Sequence, residues 1–237
     1  IAITCNLNTN QLDRRIQMLI DHHALFKPIT KATLPLREDN IASTLQEALK
    51  IALSEPMGPV HLDLPEDVMR AITTEEVPQA TTGERFAPAP DAEVEKFAQM
   101  LREAKRPVAV LGSTAMRIKN IDALRTFIEK HQIPFASTTM AKGLIDEDHP
   151  HSIGCIERSM RKMQRAFIAE TDLVIGLGYD VIETEYESWI GDVPLVHVDI
   201  EKADTDASVN VAHEVVGDLD ATPEKMNSMI PDFWTEL

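Results

Sequence analysis

The chain has 237 residues, 43% of them hydrophobic and 26% charged, enough for one large or two small domains with a sizeable core. Its 39 acidic against 23 basic residues leave a net charge of −16, which argues against nucleic acid or an anionic membrane as partner, because either is repelled at long range. No run approaches the roughly 18 apolar residues of a membrane span, and the opening Ile1-Ala2-Ile3-Thr4 reads as the middle of a strand, not as a signal peptide. The expectation is an internal piece of a longer cytoplasmic protein.

Residues 1–7 form a short β-branched run, and 28–36 a second candidate strand. Before the second stands Asp21-His22-His23-Ala24-Leu25-Phe26-Lys27, in which two adjacent histidines invite a metal reading. On a helix or a strand neighbouring side chains point in different directions, so His22 and His23 are not expected to clamp one ion. Asp39 or Asn40 is placed to cap a helix with Ile41, Leu45, Ala48, Leu49, Ala52 and Leu53 on one face. Pro56, Gly58 and Pro59 end it, and Val60-His61-Leu62-Asp63-Leu64-Pro65 follows as a strand. Residues 1–70 therefore read as the end of a β-α-β arrangement.

From 71 to 90 the pattern lapses into Thr, Pro, Ala and Glu, the composition of a linker. Residues 91–237 resume the alternation. Val94, Phe97, Ala98 and Leu101 line a helix, and 107–112 is a strand. Asn120 can cap a helix carrying Ile121, Leu124, Phe127 and Ile128, after which 133–139 is a strand. A helix around 161–169, strands at 172–179, 194–200 and 213–219, and a helix from near Pro223 complete the chain. Short apolar strands separated by helices predict an α/β fold: a Rossmann-like parallel-sheet domain preceded by a partial α/β domain. His149 and His151 flank Pro150 in a polar turn, and Cys5 and Cys155, without CxxC spacing, read as buried reduced thiols.

A parallel sheet raises the question of nucleotides. The turn Gly112-Ser113-Thr114-Ala115-Met116-Arg117 keeps only the first glycine of a dinucleotide fingerprint, and Gly176-Leu177-Gly178 runs into the bulky Tyr179. Neither is a P-loop. Gly112, Ser113, Thr138, Gly178 and Asp180 are the candidates for a vestigial nucleotide site, against the simpler account of tight turns closing buried strands. Asp180, Glu183, Glu185 and Glu187 read as a solvated acidic loop rather than a metal site. Spacing alone thus supports no self-contained active site.

The combination of Asp21-His22-His23-Ala24-Leu25-Phe26-Lys27-Pro28-Ile29-Thr30-Lys31 with Gly58-Pro59-Val60-His61-Leu62-Asp63-Leu64-Pro65-Glu66-Asp67-Val68 resembles the end of the pyrimidine-binding domain of thiamine-diphosphate enzymes, the acetolactate synthase group in particular. Residues 106–112, 133–150, 171–180, 195–200 and 215–219 resemble the family's central domain in the same order. The resemblance implies pyrimidine-domain sequence over 1–70, a linker over 71–90 and the central domain over 91–237. It implies a parent that binds thiamine diphosphate and Mg²⁺, acts on a 2-oxo acid and assembles as a homo-oligomer, dimer or tetramer. The family's glutamate that protonates the pyrimidine lies upstream of this chain, and no Gly-Asp-Gly occurs in it, so neither cofactor nor a catalytic residue is expected within the chain itself. Where the family commonly has a glutamine, three residues before Asp21, stands Met18, with Gln17 one position off, a rotation of about 100° on a helix. Tyr179-Asp180 followed by Glu183 and Trp189 is more similar to the catabolic, FAD-independent synthases, so no FAD is expected. The alternative is a stand-alone nucleotide-binding or oligomerisation module.

Overall fold

The computed structural model describes residues 1–231 apart from 18, 78, 80–81, 157–160, 181–182, 184–189 and 206. The chain divides into two compact units, Ile1–Arg85 and Phe86–Leu237, each built on a parallel sheet with helices packed on it.

In the first unit β1 (Ala2–Asn6), β2 (Ala32–Pro35) and β3 (Val60–Pro65) pair in the order β1-β3-β2. Central β3 is covered on both faces, as a parallel strand must be. Its residues alternate, so Val60 and Leu62 join an apolar cluster with Leu36 and Ala48 of the helix α2 (Ile41–Leu53). His61 and Asp63 point to the other face, where the short helix α1 (His22–Phe26) lies, capped by Asp21, whose side chain accepts the Ala24 N–H at 2.9 Å. A third helix, α3 (Glu66–Arg70), follows β3 directly.

Two local expectations change here. The sheet-facing line of α2 runs through Ile41, Thr44, Ala48, Ile51 and Ala52, while Leu45, Leu49 and Leu53 are exposed, so the apolar face is rotated from the predicted stripe. Asn40 is the N-cap residue but its side chain accepts from Arg37 N–H instead of capping. The capping acceptor is Glu75, which takes the Ala42 N–H at 2.7 Å and the Ser43 hydroxyl at 3.3 Å. Further along, Glu84 O accepts the Glu55 N–H at 3.0 Å and Arg85 pairs with Glu55 at 3.2 Å. Much of the sequence between 71 and 85 is therefore tied to the first unit.

The second unit runs α4 (Asp91–Glu103), β4 (Pro107–Leu111), α5 (Ile121–Lys130), β5 (Phe135–Thr138), β6 (Ser152–Ile156), α6 (Arg161–Ile168), β7 (Leu173–Leu177), β8 (Leu195–Asp199), β9 (Val211–Val216) and α7 (Thr222–Met229). The strand order is β6-β5-β4-β7-β8-β9, all parallel. Period-two alternation splits β4 between two cores. Ala109 and Leu111 face Phe97, Leu124, Phe127 and Met226 on one side, and Val108 and Val110 pack with Ile168 and Ile190 on the other. The expected α/β class with a Rossmann-like second domain holds.

The two cysteines depart from expectation. Cys5 is exposed and Cys155 half-buried, both as free thiols. They sit on β1 and β6, which end the strand order of their sheets, so neither lies between two covered neighbours. Among the described residues no helix is long and apolar enough to cross a membrane.

Candidate functional site

In an open parallel sheet, ligands bind outside the carboxyl ends of the strands, where successive connections depart in opposite directions. In the second unit that point lies between β4 and β7: the chain runs from β4 out through β5 to β6, then returns to β7 and continues through β8 to β9. Four of the five candidates, Gly112, Ser113, Gly178 and Asp180, follow these two strands, and Thr138 ends the adjacent β5. The structure gathers all of them at one rim.

The glycines there let two turns close on each other. A Cβ on Gly112 would stand 2.3 Å from Gly178 O, and one on Gly178, whose φ is +59°, would stand 2.3 Å from Ala115 N. The Gly112 N–H donates to Leu177 O at 3.0 Å and the Thr114 N–H to Gly178 O at 3.1 Å. Two amides of the turn that would approach a pyrophosphate are thus committed to the neighbouring strand and its turn. Tight turns at buried strand ends describe these glycines.

The remaining donors converge on a residue that spacing had assigned to a solvated loop. One Glu183 oxygen accepts the Ser113 N–H at 2.9 Å, the Ser113 hydroxyl at 2.8 Å and the Asp180 N–H at 3.3 Å. Its other oxygen accepts the buried Thr138 hydroxyl at 2.5 Å. The solvated-loop reading fails for Glu183 because donors from three segments of chain, those of Ser113, Thr138 and Asp180, converge on its carboxylate. Asp180 is exposed, and Val181, Glu185, Glu187 and Trp189 lie outside the described residues. At the end of the second strand in chain order, where dinucleotide folds place a carboxylate for the ribose, stands Thr138.

Asp199, at the carboxyl end of β8, escaped the sequence reading altogether. It is buried, and burial pushes its carboxyl up to about 7, against the Ile200 N–H it accepts at 2.6 Å and the Arg117 guanidinium, with Asp180 and Glu201 adding to the upward push. His197, two residues earlier on β8, is lowered by burial, opposed by the Glu201 carbonyl and the Glu214 and Asp180 carboxylates. A carboxyl poised near neutrality beside a crevice is a group that sequence spacing gives no means to find.

The first unit holds a separate polar network under α1. Asp63, 3% exposed, accepts the Asn6 amide at 2.9 and 3.1 Å and has His22 Nδ1 at 2.9 Å and His23 Nε2 at 3.8 Å. His61, fully buried, lies between Thr4 Oγ1 at 2.8 Å and Thr33 Oγ1 at 2.7 Å and stacks on Phe26, ring centroids 4.1 Å apart. Burial lowers its pKa, with Asp63 opposing and the two neighbouring histidines reinforcing. His22 and His23, read from the sequence as unable to clamp one ion, both lie close to the β3 carboxylate Asp63. Beside the network is a cavity of about 460 Å³ lined by Asn6, Thr9, His22, His23, Arg37 and Asp63, among others. It too lies at the carboxyl ends of its strands. Gln17 is exposed in a turn, and Met18 lies outside the described residues. His149 and His151 support the entry to β6, with His149 Nε2 3.4 Å from Glu129, and take no part in either rim.

Among the described residues no group of three or more His, Cys, Asp or Glu side chains is arranged to hold a metal ion.

The chain is 28% identical over 226 residues to the acetolactate synthase of Bacillus subtilis, covering 94% of this chain and 40% of that protein. It is 28% identical over 217 residues to the oxalyl-CoA decarboxylase of Escherichia coli K12, covering 87% and 37%. The solved structure of benzoylformate decarboxylase from Polynucleobacter necessarius superposes with a TM-score of 0.78 at 22% identity, covering 97% of this chain and 44% of that one. The chain thus spans about two fifths of the length of the curated relatives it matches. Residues 94–226 match the family described as thiamine pyrophosphate enzyme, central domain. By that match the chain belongs to the thiamine pyrophosphate enzyme family and carries its central domain.

Proposed function

We propose that this chain is part of a thiamine-diphosphate-dependent carboligase or decarboxylase of 2-oxo acids, nearest in kind to acetolactate synthase. The observation that carries the reading is coverage: a synthase aligns over 94% of this chain, through both units and not the central domain alone. In this reading residues 1–70 are the end of the pyrimidine-binding domain and 91–237 the central domain. The glutamate that protonates the pyrimidine and the Gly-Asp-Gly segment that holds Mg²⁺ and the diphosphate belong to other parts of the parent.

When bound, the cofactor supplies the carbon nucleophile of the reaction, and the protein supplies orientation and electrostatics. In this reading the isolated chain lacks those segments, is inactive and binds neither thiamine diphosphate nor Mg²⁺. Its part is to build a rigid central sheet and to present the carboxyl edge of the first sheet, with Asp63 and its histidines. The parent is a cytoplasmic homo-oligomer, carries no FAD and has neither nucleic acid nor membrane as partner.

The test is expression of the full reading frame from which this chain comes. With thiamine diphosphate and Mg²⁺ it should consume pyruvate or another 2-oxo acid, lose activity when the cofactor is withheld, and lose it on dilution as the oligomer dissociates. Calorimetry on the isolated chain with both added should show no saturable heat. A frame without such flanking segments, or a cofactor-loaded product inert toward 2-oxo acids, refutes the enzyme reading and leaves the oligomerisation module.

A further inference from the structure

We propose that Glu183 is a built-in anion: its carboxylate occupies the phosphate position at the switch point of the central sheet and holds that crevice closed to nucleotides. Four hydrogen bonds reach it, from two backbone amides and two hydroxyls, contributed by the segments after β4 and β7 and by the end of β5. These are the donor types, at the place in the sheet, with which doubly wound folds hold a phosphate. The occupant here is a side chain 70 residues along the chain from Ser113. None of the four donors is left for a ligand while the carboxylate is in place, and its negative charge repels an incoming phosphate.

The closure has a second, independent part. The Gly112 and Thr114 amides are bonded to Leu177 and Gly178, and the two turns touch so closely that neither glycine admits a Cβ. The crevice is therefore shut by backbone contact between its walls and by a carboxylate across its donors. The inference concerns the central unit alone and stands whether or not the parent reaction is the one proposed above.

The ligand chemistry that fits the donors is a phosphate group, free or carried by a nucleotide. The experiment uses the full 237-residue chain, with inorganic phosphate and ADP as separate probes and the Ser113 and Asp180 amide resonances as readout. In the wild type both resonances should be unmoved by either probe at constant ionic strength. In Glu183→Ala they should shift saturably with phosphate, with an affinity at least about tenfold above any wild-type response, since several charge-assisted hydrogen bonds become available. Adding Thr138→Val to that variant removes one donor and should weaken the response. Tighter binding of ADP than of phosphate identifies a nucleotide as the ligand excluded; equal binding identifies free phosphate and overturns the nucleotide assignment. Glu183→Ser likewise removes the carboxylate that occupies the donors, so it carries the same test if the alanine variant does not fold. A wild type that responds as the variants do, or folded variants that do not respond, overturns the proposal.

Discussion

Replacing Asp199 with asparagine should stabilise the second unit above neutral pH and change it little in acid. Asp199 is 7% exposed at the end of β8, and burial raises its carboxyl to about 7. An aspartate in an unfolded chain titrates near ~3.9. Between those values the folded chain keeps a proton that the unfolded chain has released. Stability therefore falls as pH rises through the window, with the contribution fully present below about 4 and lost above about 7. A gap of about three units is worth about 4 kcal/mol at most, and solvent relaxation around a site near the surface reduces it to roughly 2–4 kcal/mol. Asparagine retains an oxygen for the Ile200 N–H, which Asp199 holds at 2.6 Å, and cannot ionise. Urea unfolding followed by the amide resonances of the buried strands β4 and β8 reports on the second unit. The difference between variant and wild type should grow from near zero at about pH 4 to its full value at about pH 8. Parallel pH profiles for the two proteins would refute the assignment of a raised carboxyl to Asp199.

Two other expectations test the closure of the crevice and the anchoring of the segment after α3. Gly178→Ala should destabilise the second unit by at least about 2 kcal/mol, because it adds left-handed backbone strain to a clash with Ala115 N, seen as a lower urea midpoint. Glu75→Ala should leave the start of α2 uncapped and speed hydrogen exchange at the Ala42 amide. The Ala42 N–H lowers the Glu75 pKa, opposed by desolvation and assisted by Ser43 and Thr73, so its contribution is present at neutral pH and lost as pH falls through the acid range. The difference from wild type should therefore vanish in acid. Unchanged exchange at pH 7 would show that Glu75 caps nothing.

The strands that sequence made legible are those with continuous apolar runs. β3, β4, β7 and β8 are buried on both faces, and their composition says so. β6 escaped because it is an edge strand, partly exposed, with Gly154 at a φ of +91° and a register irregularity in its pairing with β5. α1 escaped because five residues are too few for a period to show, although Asp21 is the kind of residue that starts a helix. The α2 stripe was misplaced because leucines outside and a threonine inside reverse the usual signal. At the central rim, counting glycines found the right two turns but not the residue that fills them. Ser113, Thr138 and Glu183 meet only after the sheet is assembled, and no local spacing encodes that meeting. The His22–Asp63 pair is of the same kind, since Asp63 reaches α1 from a strand 41 residues away.

The tether explains how a single carboxylate can hold a phosphate site shut against free anions. A free phosphate competes at its bulk concentration, whereas Glu183 is delivered by the chain that leaves β7, at an effective concentration on the order of mM or above. The Asp180 N–H, three residues back along the chain, bonds the same Glu183 oxygen. Displacing the carboxylate would cost all four bonds before a ligand regained any, and would expose the Thr138 hydroxyl, which is buried. Opening also requires the Gly112 and Gly178 turns to part, and their contact is backbone on backbone. A ligand that binds one wall of the crevice gains too little to separate both. The closed state is therefore maintained by two contributions acting in series, and the Glu183 carboxylate is the one that occupies the donors.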